Sequence, residues 1–177
     1  MSNIAVVYKS KYGTTKRYAQ WVAAELDAQL FEAKQITPAR LAAYDLVIYG
    51  GGLYAGGIIG VSLVRGSRCK ALAVFTVGLA DPAITDYTKI LDTNLPDRSR
   101  DQVKLFHLRG GINYAALSLV HKGMMALVRK AAAKKPEADR DSDDIAMLAT
   151  YGRAVDFTDK AAIAPIIAYA KEVTQWT

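Results

Sequence analysis

Lys9-Ser-Lys-Tyr-Gly-Thr-Thr-Lys16 lies between an apolar run and an amphipathic segment, and this placement decides the fold. Upstream, Ile4-Ala-Val-Val-Tyr8 is continuously hydrophobic, as expected of a parallel strand buried on both faces. Downstream, Tyr18, Trp21, Val22, Glu25 and Leu26 recur at spacings of three and four, and their apolar members share one helical face. The stretch is therefore a strand-to-helix loop. Its hydroxyls and backbone N–H groups, with the positive end of the helix dipole, suit a phosphate. An ordinary turn capped by Thr14 or Thr15 accounts for the same residues.

The common nucleotide fingerprints are missing. Neither G-x-x-x-x-G-K-[ST] nor G-x-G-x-x-G follows the first strand, which disfavours a nucleoside triphosphate or a dinucleotide. A hydroxyl-rich loop with one glycine suits a small terminal phosphate, such as that of flavin mononucleotide (FMN). The 177 residues suit one domain over the whole chain, and a hydrophobic content of 51% is ample for a three-layer core. No apolar run has transmembrane length and no signal-type segment opens the chain. Cys69 is the sole cysteine, so neither an internal disulfide nor a cysteine metal cluster can form, and a reducing cytoplasm is expected. His107 and His121 lack metal-ligand spacing, and no metal site is expected.

Hydrophobic pattern and breakers predict alternating strands and helices. Strands are expected at residues 3–8, 30–34, 46–49, 71–76 and 102–108. Helices are expected to residue 27, as a short turn capped by Thr37 with Pro38 first, from near Ile58, over 83–93, and over 160–173. Residues 134–144 read as a charged loop, 147–151 as a short extra strand, and Trp176 as an anchor for the terminus. The alternation implies an α/β fold with a doubly wound, five-stranded parallel sheet. Ligands in such sheets bind beyond the carboxyl ends of the strands.

Three more loops then matter. Gly50-Gly-Gly-Leu-Tyr-Ala-Gly-Gly57 follows the third strand and reads as a glycine loop, with Leu53 and Tyr54 able to pack on a flat ring. Val77-Gly-Leu-Ala-Asp-Pro82 follows the fourth, where Asp81 can cap the next helix. Gly110-Gly-Ile-Asn-Tyr114 follows the fifth.

Together these residues resemble the flavodoxin family, whose phosphate loop reads T/S-x-T-G-x-T. Ser10-Lys-Tyr-Gly-Thr-Thr15 matches it except at Tyr12, where a hydroxyl of Thr or Ser is usual. The resemblance implies FMN as cofactor. It places Ser10, Lys11, Tyr12, Gly13, Thr14 and Thr15 around the phosphate. Gly51, Gly52, Leu53, Tyr54 and Ala55, with Thr76, Val77, Gly78 and Leu79, would flank the ring, and Gly111 and Tyr114 would complete the site, with Tyr54 or Tyr114 as a cover. A phosphoacceptor receiver domain is rejected, because Asp45 stands at the start of the third strand rather than its end.

The net charge is +6, unlike the usual acidic flavodoxins. From Arg109 to Lys135 there are six Lys or Arg and no acid; of 23 basic residues these leave 17, matching the 17 acidic ones. Leu117, Val120, Met124, Leu127, Val128 and Ala131 follow helical spacing there, with Lys122, Arg129, Lys130 and Lys134 mostly off that face. Such a helix either packs its apolar stripe with solvated lysines outside, or lies on a membrane interface. A basic helical insertion at about 112–150 resembles that of the menaquinone-dependent protoporphyrinogen oxidase branch of the family, although this one is poorer in aromatic and arginine residues. Three functions fit. One is an FMN-binding redox protein, carrier or oxidoreductase; another is a quinone-dependent protoporphyrinogen IX oxidase; the third is a binding protein that has lost FMN. Expected partners are a redox protein or a quinone, with peripheral contact at the inner face of the membrane through 114–135 and no nucleic acid. No catalytic acid–base pair is identifiable.

Overall fold

The computed structural model describes residues 3–54, 56–97 and 103–175. Ala55 and Trp176, both assigned roles from sequence, lie outside them, as does Gln102 at the start of the fifth predicted strand.

Five strands run parallel: β1 (Ile4–Lys9), β2 (Gln29–Glu32), β3 (Leu46–Tyr54), β5 (Ala71–Gly78) and β6 (Val103–Arg109). Their order is β2-β1-β3-β5-β6, so the chain reverses its direction of travel across the sheet between β1 and β3. A short β4 (Gly57–Ile58) folds back antiparallel on β3. The period of two divides each strand between two cores. On one face Val6, Ile48 and Phe75 meet Tyr18 and Val22 of α1 (Thr14–Leu26) and Ile166 and Ala170 of α7 (Ala164–Gln175). On the other, Val7, Val47 and Val74 meet Leu41 of α2 (Pro38–Leu41), Val64 of α3 (Ser62–Arg65) and Ile90 of α4 (Tyr87–Asn94). Thr37 caps α2, its hydroxyl accepting from the Arg40 N–H at 3.4 Å, and Pro165 is accommodated as the second residue of α7.

The third strand is five residues longer than its apolar run, because it continues through the glycines to Tyr54. Gly50 pairs with Phe75 and Tyr8, and Gly51 with Thr76 and Lys9, so the run lies inside the sheet rather than in a loop. The reason is packing. A Cβ on Gly50 would stand 2.1 Å from Cζ of the buried Phe75 ring. The helix expected from Ile58 is displaced to Ser62–Arg65, since Ile58 pairs with Leu53 in the hairpin. That hairpin is held by buried Asn94, whose Oδ1 accepts from the Ile58 N–H at 2.7 Å and whose Nδ2 donates to the Gly56 carbonyl at 2.8 Å.

Beyond β6 the chain builds a small layer of its own. It comprises β7 (Gly111–Asn113), α5 (Leu119–Lys134), α6 (Ser142–Thr150) and β8 (Ala154–Asp156), with β7 and β8 paired antiparallel. Two expectations fail here. Residues 147–151 close α6 instead of forming a strand, because Asp141 and Asp144 make a reciprocal capping box that starts a helix upstream. Most of the charged stretch 134–144 is likewise helical, with Lys135 Nζ 2.5 Å from Asp144 Oδ2. Tyr114, Leu117, Met125 and Met147 form the layer's core.

Candidate functional site

A cavity of about 660 Å³ opens where β1, β3, β5 and β6 end, beside the β1–β3 reversal. This is a suitable size for a small-molecule site. Its two ends differ chemically.

At one end the loop from Lys9 to Thr15 turns from β1 into α1. Gly13 holds φ at +94°, a conformation that L side chains rarely adopt, and it caps α1 without a side chain. The N–H groups of the first turn are therefore left for a ligand. Ser10, Thr14 and Thr15 bring hydroxyls to the cavity and Lys9 and Lys11 bring positive charge. Ser10 Oγ also accepts from the Gly13 N–H at 3.0 Å, which fixes the loop. Donors, cations and a helix N-terminus together make an anion cradle.

The other end is apolar. Leu53 and Tyr54 from the end of β3 line it with Val77 and Gly78 of β5 and Leu79 just beyond, with Gly52 and Gly111 in the wall. The β5 end is braced by His107, which is buried. The Ala80 carbonyl, 3.3 Å from Nε2, can only accept, so Nε2 carries the proton; Nδ1 then accepts from the Thr76 hydroxyl at 2.7 Å. Burial, reinforced by nearby Arg109, holds the imidazole below its ordinary value, against the Ala80 hydrogen bond. Below about pH 6.5 the unfolded chain takes up a proton that the folded chain refuses, so stability is full above that value and lost as pH falls toward the depressed folded value. The melting temperature is expected to drop between about pH 7 and about pH 5, with a shallower drop in His107→Gln; equal slopes would contradict this assignment.

Four described residues of the predicted site are not in the cavity wall: Thr76, Gly51, Tyr114 and Gly13. Thr76 is buried and committed to His107. Gly51 is buried in the sheet against Ile58. Tyr114, expected as a ring cover, is only 7% exposed. It packs against Tyr151 with ring centroids 5.1 Å apart, and its hydroxyl meets Met147 Sδ at 3.4 Å. Its place at the cavity is taken by Ile112 and Leu117. Ala55 lies outside the described residues. The remaining predicted residues line the wall.

The sequence reading missed the roof. His121, Met124 and Met125 of α5 close the cavity from above. Lys11 Nζ lies 2.5 Å from His121 Nε2 and the Tyr12 hydroxyl bonds Nδ1. An ammonium only donates, so Nε2 accepts and Nδ1–H donates to Tyr12. The ring also faces Tyr54, with centroids 6.2 Å apart. Tyr12, the departure from the loop pattern, is thus the partner of a helix more than a hundred residues away in the chain. A lone histidine without metal spacing carries no sequence signal for such a role.

A family model described as "Flavodoxin domain" matches residues 5–139. The chain belongs to the flavodoxin domain family. No curated protein matches this flavodoxin-domain chain. Among solved structures, a WrbA-like flavodoxin from Agrobacterium tumefaciens is 26% identical, covering 53% of this chain and 68% of that one, with a TM-score of 0.38. Oxidised flavodoxin 2 from Bacillus cereus is 22% identical over 61% of this chain and 86% of its own, TM-score 0.44. A flavoprotein in complex with FMN from Lactobacillus acidophilus is 15% identical over 62% and 93%, TM-score 0.42. These likenesses are too distant to carry residue roles across.

Proposed function

We propose that this flavodoxin-domain protein binds FMN and serves as a redox protein that passes electrons through it. The observation that carries the reading is the division of one cavity into an anion cradle at the start of α1 and an apolar slot between β3 and β5. A ligand with one phosphate end and one flat ring end matches both. FMN, when bound, supplies reversible electron chemistry that amino-acid side chains do not.

The chain's own residues bind, orient and shield. The first turn of α1, with Ser10, Thr14 and Thr15, holds the phosphate, and Lys9 and Lys11 offset its charge. Leu53, Tyr54 and the segment from Val77 to Leu79 fix the ring plane. His121 clasps α5 to the phosphate loop, which keeps the roof of Met124 and Met125 in place and limits water. The open cradle counts against loss of FMN. A tetrapyrrole substrate gains nothing from the insertion, whose aromatic Tyr114 is buried instead of offered for stacking. A redox protein or a quinone remains the proposed partner.

Tyr54 and Tyr114 test this division of labour. In Tyr54→Ala, bound FMN is expected to become brighter and its affinity to fall roughly tenfold, the equivalent of about 1.4 kcal/mol of lost ring contact. Tyr114→Ala should leave flavin fluorescence and affinity unchanged while lowering folding stability by about 3 kcal/mol through a core cavity. Identical flavin signals in wild type and Tyr54→Ala would contradict the proposed slot.

A further inference from the structure

Helix α5 turns its apolar stripe away from the protein. Only Met125 and Ala132 of its residues are buried. Leu119 is 86% exposed, Val120 72% and Leu127 70%, with Met124 and Val128 at 40% each. Of the apolar stripe, Leu117 packs in the core and Met124 lines the cavity, while Val120 and Leu127 are left exposed. Leu119, Val120 and Leu127 thus form an aliphatic face on the outward side, away from His121, Met124 and Met125 at the cavity. Lys130 and Lys134 are exposed beside that face, while Lys122 and Arg129 stand on the opposite side of the helix, Lys122 donating to the Ala115 carbonyl and Arg129 over the Tyr151 ring, and there is no acidic residue between Arg109 and Lys135.

We infer that the outward face of α5 docks on an anionic lipid surface. The helix would lie in the plane of the interface, with Leu119, Val120 and Leu127 in the acyl boundary and Lys130 and Lys134 among the headgroup phosphates. Charge complementarity selects this occupant. A second copy of the chain joined through the same patch would bring together two basic surfaces with no acidic residue between Arg109 and Lys135 to offset them. A protein partner is less suited to a convex stripe of Leu, Val and Met that has no aromatic anchor, its one arginine being stacked on Tyr151 at 4.8 Å. Among the described residues no helix is long and apolar enough to cross a membrane. The contact is peripheral, and it sets the roof carried by His121 and Met124 against the lipid surface.

The inference does not rest on the flavin reading, and its test separates the two. The full chain is floated with vesicles of phosphatidylcholine, with and without phosphatidylglycerol, beside the variants Val120→Asp/Leu127→Asp and Lys130→Glu/Lys134→Glu. None of these four residues lines the cavity. Wild type is expected to bind the anionic vesicles at least about tenfold better than the neutral ones, with binding weakened by salt. Each double variant should lose about tenfold or more, while far-UV circular dichroism and FMN titration stay at wild-type values. No flotation of wild type with anionic vesicles, equal flotation of the variants, or a dimer in sedimentation velocity that Val120→Asp/Leu127→Asp dissolves would each overturn the inference.

Discussion

Replacing Thr14 and Thr15 together by alanine is expected to weaken FMN binding about 100-fold or more and to leave riboflavin binding nearly unchanged. In the proposed binding mode each hydroxyl would donate to a charged phosphate, and hydrogen bonds to charged groups are worth about 1.5–3 kcal/mol. Two lost donors then cost about 3 kcal/mol or more, or two decades in the dissociation constant. Riboflavin has no phosphate and reports only on the ring slot. Alanine is the better helix former, so α1 itself should survive the change. Thr15 is nearly buried, at 3% exposure, and Thr14 is half-buried, so neither substitution exposes new apolar surface to bulk water. Parallel losses for FMN and riboflavin would mean that the phosphate is not held at this turn.

The largest stability effect is expected at Gly50. In Gly50→Ala the new methyl would sit 2.1 Å from Phe75 Cζ and 2.6 Å from Cε2, inside the fully buried core of the sheet. Neither neighbour is free to retreat, because Gly50 pairs with both β1 and β5. Overpacking of this kind costs about 3 kcal/mol, which for a chain of this size lowers the melting temperature by roughly 6–12 °C. Phe75→Leu in the same background should recover part of the loss, since the two residues share one volume. A melting temperature within about 1 °C of wild type would show that the sheet relaxes around this position.

The same glycine shows where sequence reading reaches its limit. Glycine clusters signal turns when only the local chain is considered, yet Gly50 and Gly51 serve a tertiary requirement, the space taken by Phe75 and Ile58. Continuous apolar runs, by contrast, revealed β1, β3 and β5 because burial on both faces writes itself into every residue. The strand-to-helix loop was legible for a related reason, since Ser10, Gly13, Thr14 and Thr15 act locally between one strand and one helix. His121 was not legible, because its partners Lys11 and Tyr12 are brought to it only by the fold. Tyr114 misled in the opposite direction. Its place just after β6 suggested a cover for the cavity, while the core of the added layer, invisible to spacing, drew it inward.

The amphipathic pattern of α5 was equally clear in sequence, but its orientation was not. Periodicity says that one face is apolar and does not say whether that face packs or waits for a partner. His121 and Met125 settle the matter, because they occupy the inward side and leave Val120 and Leu127 outside.

The most direct measurement is a titration of the purified, flavin-stripped chain with FMN and with riboflavin, followed by the visible spectrum and by flavin fluorescence. Saturable binding of one FMN per chain, with a perturbed spectrum and clearly tighter than riboflavin, is the predicted result. No spectral change at high FMN, or equal affinity for the two flavins, would contradict the assignment of this cavity to FMN.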